Sequence, residues 1–417
     1  MRLRPHSTRM GSERSTQNRG LSRRDVLRRG AVATALAGLG LSGVAGSAAA
    51  GGDGGGGVPS DAIPIDGPTE ITEPGYYVLT KDIVVNNPMT VIVVKEGVPD
   101  VTIDGHGHTI KGPGKNVYQS TGIRAGLYLS DDTLNCTVKN LIVTGFETGI
   151  EYSDNRNGTI SHVKITHCEA ALRLYSVTDL TIADNVIAKN DIVFFQDEGA
   201  RRTRVLRNRI TRNEGIAGFE FAPDLLFKDN RFDYNGSRLG LFFCQDATVV
   251  DNLFYQNGGG LFIFETLGNV VRKNRFIENE RYGVAVDGIS TEIVIEENDI
   301  LRNGGDGINF EFRVDRSTIS KNRIIGNGED GVFLLDADEN QIVGNLIRQN
   351  GGDGIELQGR EVSGVESGGS DNNVIRENVI RENGDLPIRI DDLSTGNVVE
   401  DNQIGDDAPN VCRLPEE

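Results

Sequence analysis

The sequence predicts an all-β solenoid with three short strands per repeat, and three observations carry that prediction. Residues 292–359 say nearly the same thing three times: EIVIEENDILRNGGDGINFEF, STISKNRIIGNGEDGVFLLD and NQIVGNLIRQNGGDGIELQG. Each copy has a β-rich run ending at an Asn (Asn298, Asn322, Asn345) and a second ending at an Asn five residues later (Asn303, Asn327, Asn350). A Gly-Asp-Gly-like turn then leads into a third, alternating run. A unit this short cannot bury its own Ile, Val and Leu, so it must stack on its neighbours. Tryptophan is absent, and no heptad or sustained 3.6-residue apolar pattern argues for helices.

The register can be followed along the chain. The first Asn of each copy forms the series Asn140, His162 in the Asn slot, Asn185, Asn208, Asn230, Asn252, Asn274, Asn298, Asn322, Asn345, Asn378 and Asn402, which makes about twelve rungs. One step within it is long, 33 residues from Asn345 to Asn378, because residues 360–370 insert a Gly/Ser/Glu-rich loop. Stacked rungs lie about 4.8 Å apart, so each turn residue sits on its copy. Asn has both a donor and an acceptor and tolerates left-handed backbone, so a buried Asn column can satisfy itself. These Asn residues are read as scaffold.

The ends differ from the repeat. Residues 22–28 (Ser-Arg-Arg-Asp-Val-Leu-Arg) resemble a twin-arginine export signal, followed by an uncharged Ala/Gly-rich stretch over 31–50. We therefore expect a signal peptide over 1–50, export by the twin-arginine route, and no stable membrane insertion once it is removed. Residues 51–57 read as a Gly-rich linker, 58–112 as an N-terminal cap with the first rungs, 113–405 as the β-helix repeats and 406–417 as a tail. The β-branched runs of 71–112, broken by Pro-Gly and Asp-Gly turns, suit the opening of a solenoid whose first edge must be covered.

The first fifty residues hold nine Arg and two acids, so the remainder carries a net charge of −25 against −18 for the whole chain. Such a surface excludes nucleic acid, which needs a basic face, and fits a solvated acidic coat adapted to salt. Cys136, Cys168, Cys244 and Cys412 lack metal-ligand or redox spacing and are expected as isolated thiols.

VTIDGHGHTIKG at 101–112, TVKNLIVTGFETGIEY at 137–152 and the recurring NxIxxNxxxGI pattern resemble the right-handed parallel β-helix of the pectin-lyase-like superfamily. The closer likeness is to secreted NosD-like or carbohydrate-binding-and-sugar-hydrolase (CASH) repeats, over residues 70–405. The resemblance implies a single-stranded right-handed parallel β-helix and, in members with known chemistry, carboxylates with a basic residue on one outward strand face. It implies no single activity. The motif strings of polygalacturonases and the Asp-Pro-His-Glu signature of alginate epimerases are absent. His106 and His108 fall in a first-rung turn, and copper, associated with the NosD name, lacks a cluster of His or Met among the five His and three Met.

Alternation in the third strand places Val284, Val286, Ile308, Phe310, Val332, Leu334, Ile355, Leu357, Ile388 and Ile390 inward. One outward column then runs through Glu151, Arg173, Val193, Glu220, Phe242, Phe262, Ala285, Asn309, Phe333, Glu356 and Arg389. A second includes Tyr175, Phe195, Cys244, Phe264, Asp287, Glu311, Leu335, Gln358 and Asp391. Phe242, Phe262, Phe264 and Phe333, with Asn309, form a candidate platform for a sugar ring. Asp287, Glu311 and Glu356, with Arg389 as basic partner, are the candidate catalytic groups. Asp287 and Glu311 are expected one rung apart, to share a proton or a cation. Asp306, Asp330 and Asp353 stack at one turn; Asp-Gly turn chemistry explains their recurrence, and calcium bridging is the functional alternative.

Two functions remain open. One is a secreted polysaccharide lyase or glycoside hydrolase; the other is a non-catalytic surface or matrix adhesion protein using the same face. Either way the expected partner is an extracellular glycan. Of the sequons at Asn157 and Asn235, only Asn157 is expected to be accessible.

Overall fold

The computed structural model describes residues 57–126, 133–360, 368–405 and 412–413, within one compact unit, Ala50–Glu417. The expected signal peptide, most of the linker, the centre of the 360–370 insertion and most of the tail lie outside the described residues. Among the described residues there is no helix.

Successive strands go to three different sheets, and neighbours within a sheet are one repeat apart. The first sheet has 15 strands, from Ile63–Ile65 to Val398–Glu400; the second has 14, from Ile83–Val84 to Gln403–Ile404; the third has 15, from Thr69–Ile71 to Cys412–Arg413. Ladder partners run parallel throughout these sheets, as at Ile308↔Val332 and Phe310↔Leu334. The chain is thus a parallel β-solenoid of about fourteen turns. The twelve counted by Asn correspond to first-sheet strands from Thr137–Lys139 onward; the additional turns come before them, where the marker residue is missing.

The interior is a continuous stack of side chains. All ten residues expected to point inward between Val284 and Ile390 are at most 3% exposed. Like sits on like: the rings of Phe232, Phe254 and Phe276 stack at 4.7 and 4.8 Å. Cys136, Cys168 and Cys244 are free and buried in this core.

The corners are held by asparagine ladders. Asn322 is representative: its Oδ1 accepts from the backbone N–H and the Nδ2 of Asn298 (2.9 and 3.0 Å), while its own Nδ2 donates to Asn345 Oδ1 (3.1 Å) and the carbonyl of Ile295 (2.8 Å). A second ladder passes through Asn279, Asn303, Asn327 and Asn350 with the same pattern. It includes Asn235, which is 2% exposed, whereas Asn157 is exposed. The left-handed backbone is located one residue earlier than expected. Asp184, Arg207 and Lys321, which precede ladder Asn residues, have φ of 59°, 52° and 55°. Asn140 and His162 occupy that preceding position too, with φ of 54° and 55°, so they are not in the ladder slot. The slot holds buried Leu141 and Val163, and Asn185 begins the ladder by accepting from the Val163 N–H at 2.9 Å.

Replacing Asn322 with Ala leaves the N–H and one Nδ2 proton of Asn298 unpaired in a buried site. Asn322→Ala should therefore lower unfolding free energy by about 3 kcal/mol or more in urea titrations. An unchanged midpoint would mean that the ladder is incidental.

Candidate functional site

Third-sheet register defines the outward face. The first column is Arg124, Glu151, Arg173, Phe195, then Gly240, Phe262, Ala285, Asn309, Phe333, Glu356 and Arg389. The second is Glu220, Phe242, Phe264, Asp287, Glu311, Leu335 and Gln358. Five expected placements are corrected, Phe195 moving from the second column to the first. Glu220 and Phe242 belong to the second column, because Gly218 and Gly240 pair where Glu220 and Phe242 were assumed to sit opposite Phe262's column. Val193 and Cys244 are fully buried, and Phe195 pairs with Arg173 in the place assigned to Val193. The third strand is longer in its early rungs, with a register shift beside Tyr175, so counting from the preceding Gly loses phase there.

Toward the C-terminal end, an open cleft of about 540 Å³ is lined by Asp306, Asn309, Glu311, Glu329, Asp330 and Phe333 over a glycine floor. Its acidic column is a hydrogen-bond ladder in itself. Asp306 Oδ1 accepts from the N–H of Asp330 (3.0 Å), Asp330 Oδ1 from that of Asp353 (2.6 Å), and Asp353 Oδ1 from that of Leu386 (2.7 Å). Asn309 Nδ2 donates to Asp306 Oδ2 at 2.7 Å.

Glu356 reaches this column from the strand. Oxygens of Asp330, Asp353 and Glu356 lie within 4.8 Å of one another. Asp353 is matched by Arg389, whose Nε donates to its Oδ2 at 2.6 Å and stands 3.8 Å from Glu356 Oε1. Desolvation, together with its hydrogen bond and repulsion with Glu356, raises the Asp330 carboxyl to about 7. Burial raises Glu356 as well, and raises Asp306 to about 6. Asp330 and Glu356 are therefore a pair that holds one proton near neutrality.

The other expected residues lie along the face. Asp287 and Glu311 are adjacent in one column, and Asp287 is raised mainly by desolvation, with Glu311 adding to it. Its Oδ1 accepts from the Gly288 N–H at 2.6 Å, a turn contact. Phe242, Phe262 and Phe264 are half-buried and pack together, with centroids 5.7 to 6.4 Å apart. Arg238 lies 4.2 Å above the Phe262 ring, covering part of the platform, and Tyr282 extends it. Sequence reasoning missed Arg238, Tyr282 and Glu329 because they sit in the turn before the strand; their signal was position relative to the second Asn. It also missed Phe243, which stacks on Phe221 at 4.8 Å from a left-handed position ending the strand.

Two family models match parts of the chain. One described as "Periplasmic copper-binding protein (NosD)" matches residues 219–352 and 269–411, and one for the "Right handed beta helix region" matches 101–232. Among solved structures, the periplasmic alginate epimerase AlgG aligns at 15% identity and TM-score 0.50, covering 77% of this chain and 78% of that one. The mannuronan C-5 epimerase AlgE4 A-module of Azotobacter vinelandii aligns at 17% and 0.44, covering 85% and 91%. DFA-IIIase from Arthrobacter chlorophenolicus A6 aligns at 11% and 0.37, covering 82% and 87%. None of the curated proteins compared matches the chain. Residues 101–232 thus match a right-handed β-helix repeat, and the likeness to AlgG is one of fold.

Copper does not fit the NosD-matched stretch. Residues 219–411 contain no His and no Met, and their single Cys, Cys244, is buried with its thiol pushed up to about 12. What remains is hard oxygen, which does not select copper.

The raised acids make stability depend on pH. A carboxyl whose folded pKa lies above its unfolded value stabilises the fold when protonated, and that contribution fades as pH rises from about 4 through 7. Asp330→Asn keeps the acceptor for Asp353 and removes the titration. Between pH 5 and 8 it should lose less stability than the wild type, by about 1–2 kcal/mol after allowing for screening in the open cleft. Equal losses in parallel denaturation curves would refute the shared proton.

Proposed function

We propose that this is an exported glycan-active protein whose outward third-sheet face binds an extracellular polysaccharide and whose 306–356 cleft cleaves it by acid–base chemistry. The observation that carries this reading is the Asp330–Glu356 pair, one proton on two carboxylates, with Asp330 lining an open cleft beside Phe333 and Glu356 next to it. Asp330, raised to about 7, is the general acid that protonates the leaving glycosidic oxygen, and Glu356 is the base that takes a proton from the water whose oxygen bonds to the anomeric carbon, then returns it to Asp330. Asp353 and Arg389 hold Glu356 in place from the next positions. Phe333 and Asn309 contact the sugar in the cleft, and Phe242, Phe262, Phe264 and Tyr282 extend the track. Asp287 and Glu311 border it as polar contacts instead of forming the reaction centre. Carbohydrate names among the structural neighbours, and the periplasmic ones among them, agree with export and a glycan partner; the twin-arginine-like residues supply the route.

One observation favours the non-catalytic alternative. The acids at another corner form the same ladder, Asp338 N–H to Asp315 Oδ1 (3.0 Å) and Asp371 N–H to Asp338 Oδ1 (2.8 Å), away from any cleft on this face. Acidic turn columns are therefore also a building habit of this chain. What separates the 306–353 column is Glu356.

Activity decides between them. Reducing-end and unsaturated-product assays across neutral, amino and acidic polysaccharides should detect cleavage, with Glu356→Gln and Asp330→Asn each lowering kcat by about 100-fold. Glycan binding without turnover would favour adhesion. Calcium is a separate part of the proposal: Asp330, Asp353 and Glu356 offer the ligands, and the ion would displace the shared proton. Calcium should then raise Tm more at pH 8 than at pH 5.5, with the effect lost in Asp330→Asn; a Tm indifferent to calcium and to chelation removes the metal.

A further inference from the structure

From the same face, and resting on the glycan reading above, we infer that the polysaccharide carries no anionic groups: the cleft takes neutral or amino sugars and rejects uronates and sulfated sugars. The lining supplies the first reason. Among the residues around the cleft are four carboxylates, Asp306, Glu311, Glu329 and Asp330, and no Lys, Arg or His. Above the raised values of Asp306 and Asp330 all four are ionised, and a sugar carboxylate entering there meets like charge at contact distance.

The nearby cations supply the second. Recognition of a uronate or sulfate requires a guanidinium or ammonium free to form a bidentate or point-charge contact. Arg389 donates to Asp353 from Nε and from Nη2 (2.6 and 3.4 Å). Arg238 lies over the rings of Phe262 and Tyr282, and Arg360 over Phe312 at 4.5 Å. Each is turned to a carboxylate or a ring on this face. Arg281, next to Tyr282, is an exposed cation on the turn before the platform and does not line the cleft.

The third reason is the shape of the floor. A Cβ at Gly352 would stand 2.2 Å from Asp330 Oδ1, and one at Gly351 would stand 2.1 Å from the Gly328 carbonyl. Glycine at both positions leaves a low floor beside the Phe333 ring. A pyranose can lie there with its apolar face on the ring and its hydroxyls or ammonium toward Glu311, Glu329 and Asp306. Carboxylates accept hydrogen bonds from sugar hydroxyls and from ammonium groups but have none to offer a second carboxylate.

Calorimetric titration of the full-length protein at pH 8, where Asp306 and Asp330 are ionised, with hexasaccharides of glucosamine, N-acetylglucosamine and galacturonate tests this. The glucosamine and N-acetylglucosamine hexamers should bind, and the galacturonate hexamer should bind at least about tenfold more weakly, the gap narrowing with added salt. The doubly neutralised variant Glu311→Gln/Glu329→Gln should narrow it too, without touching the Asp330–Glu356 pair. Galacturonate binding as tightly as the others, or binding tightly once calcium is added, would overturn the inference while leaving the glycan reading intact. Failure of all three hexamers to bind would overturn both.

Discussion

The amide-to-amide hydrogen bond between successive rungs is the interaction on which this structure depends. A parallel solenoid must bring its chain round a corner three times per turn, and at each corner backbone groups leave the sheet ladder and enter the protein interior. A buried N–H without a partner costs about as much as a whole hydrogen bond contributes. Asparagine meets that demand because its side chain mimics the peptide group. In Asn322 both acceptor positions and both donor hydrogens are engaged, with backbone and with the neighbouring copies. The left-handed residue before it, such as Lys321 at φ 55°, turns the chain so that the Asn side chain points inward.

The same logic explains why carboxylates stack here at all. An Asp that accepts from the next rung's N–H does the work of an Asn acceptor, but brings a charge that neighbouring copies must tolerate. At the 315–338–371 corner that is all it does. At the 306–330–353 corner the strand adds Glu356 and Arg389, and repulsion is relieved partly by an ion pair and partly by retaining a proton. A scaffold position thereby acquires a titratable group poised near neutrality. The chemistry proposed for the cleft is an extension of the corner's structural solution.

Much of the architecture was legible because it repeats. Period-two alternation after each Gly places Val284 through Ile390 inward without error, since one face of every strand must be buried. Legibility fails where the repeat varies in length: the longer strands Ala170–Tyr175 and Ile192–Glu198 shift phase, and Val193 was read on the wrong side. It also fails one residue from a turn, where Asn140 and His162 are left-handed residues and Leu141 and Val163 fill the slot. The candidate site was partly visible, because Asp306, Asp330, Glu356 and Arg389 hold fixed places in the text. That Asp330 and Glu356, from a turn and a strand, meet as a pair is a matter of side-chain reach, which spacing does not encode. Arg238 over Phe262 is hidden for the same reason.

The insertion between the third-sheet strand Ile355–Gln358 and the next first-sheet strand has a broader meaning. Asn345 Nδ2 still donates to Asn378 Oδ1 at 3.0 Å across 33 residues, as if nothing had been added, and Arg360 and Gly368 close the excursion with their own bridge. Contour length and vertical rise are therefore uncoupled in this molecule. Residues can thus be added at a corner of such a coil while the winding above and below keeps its pitch.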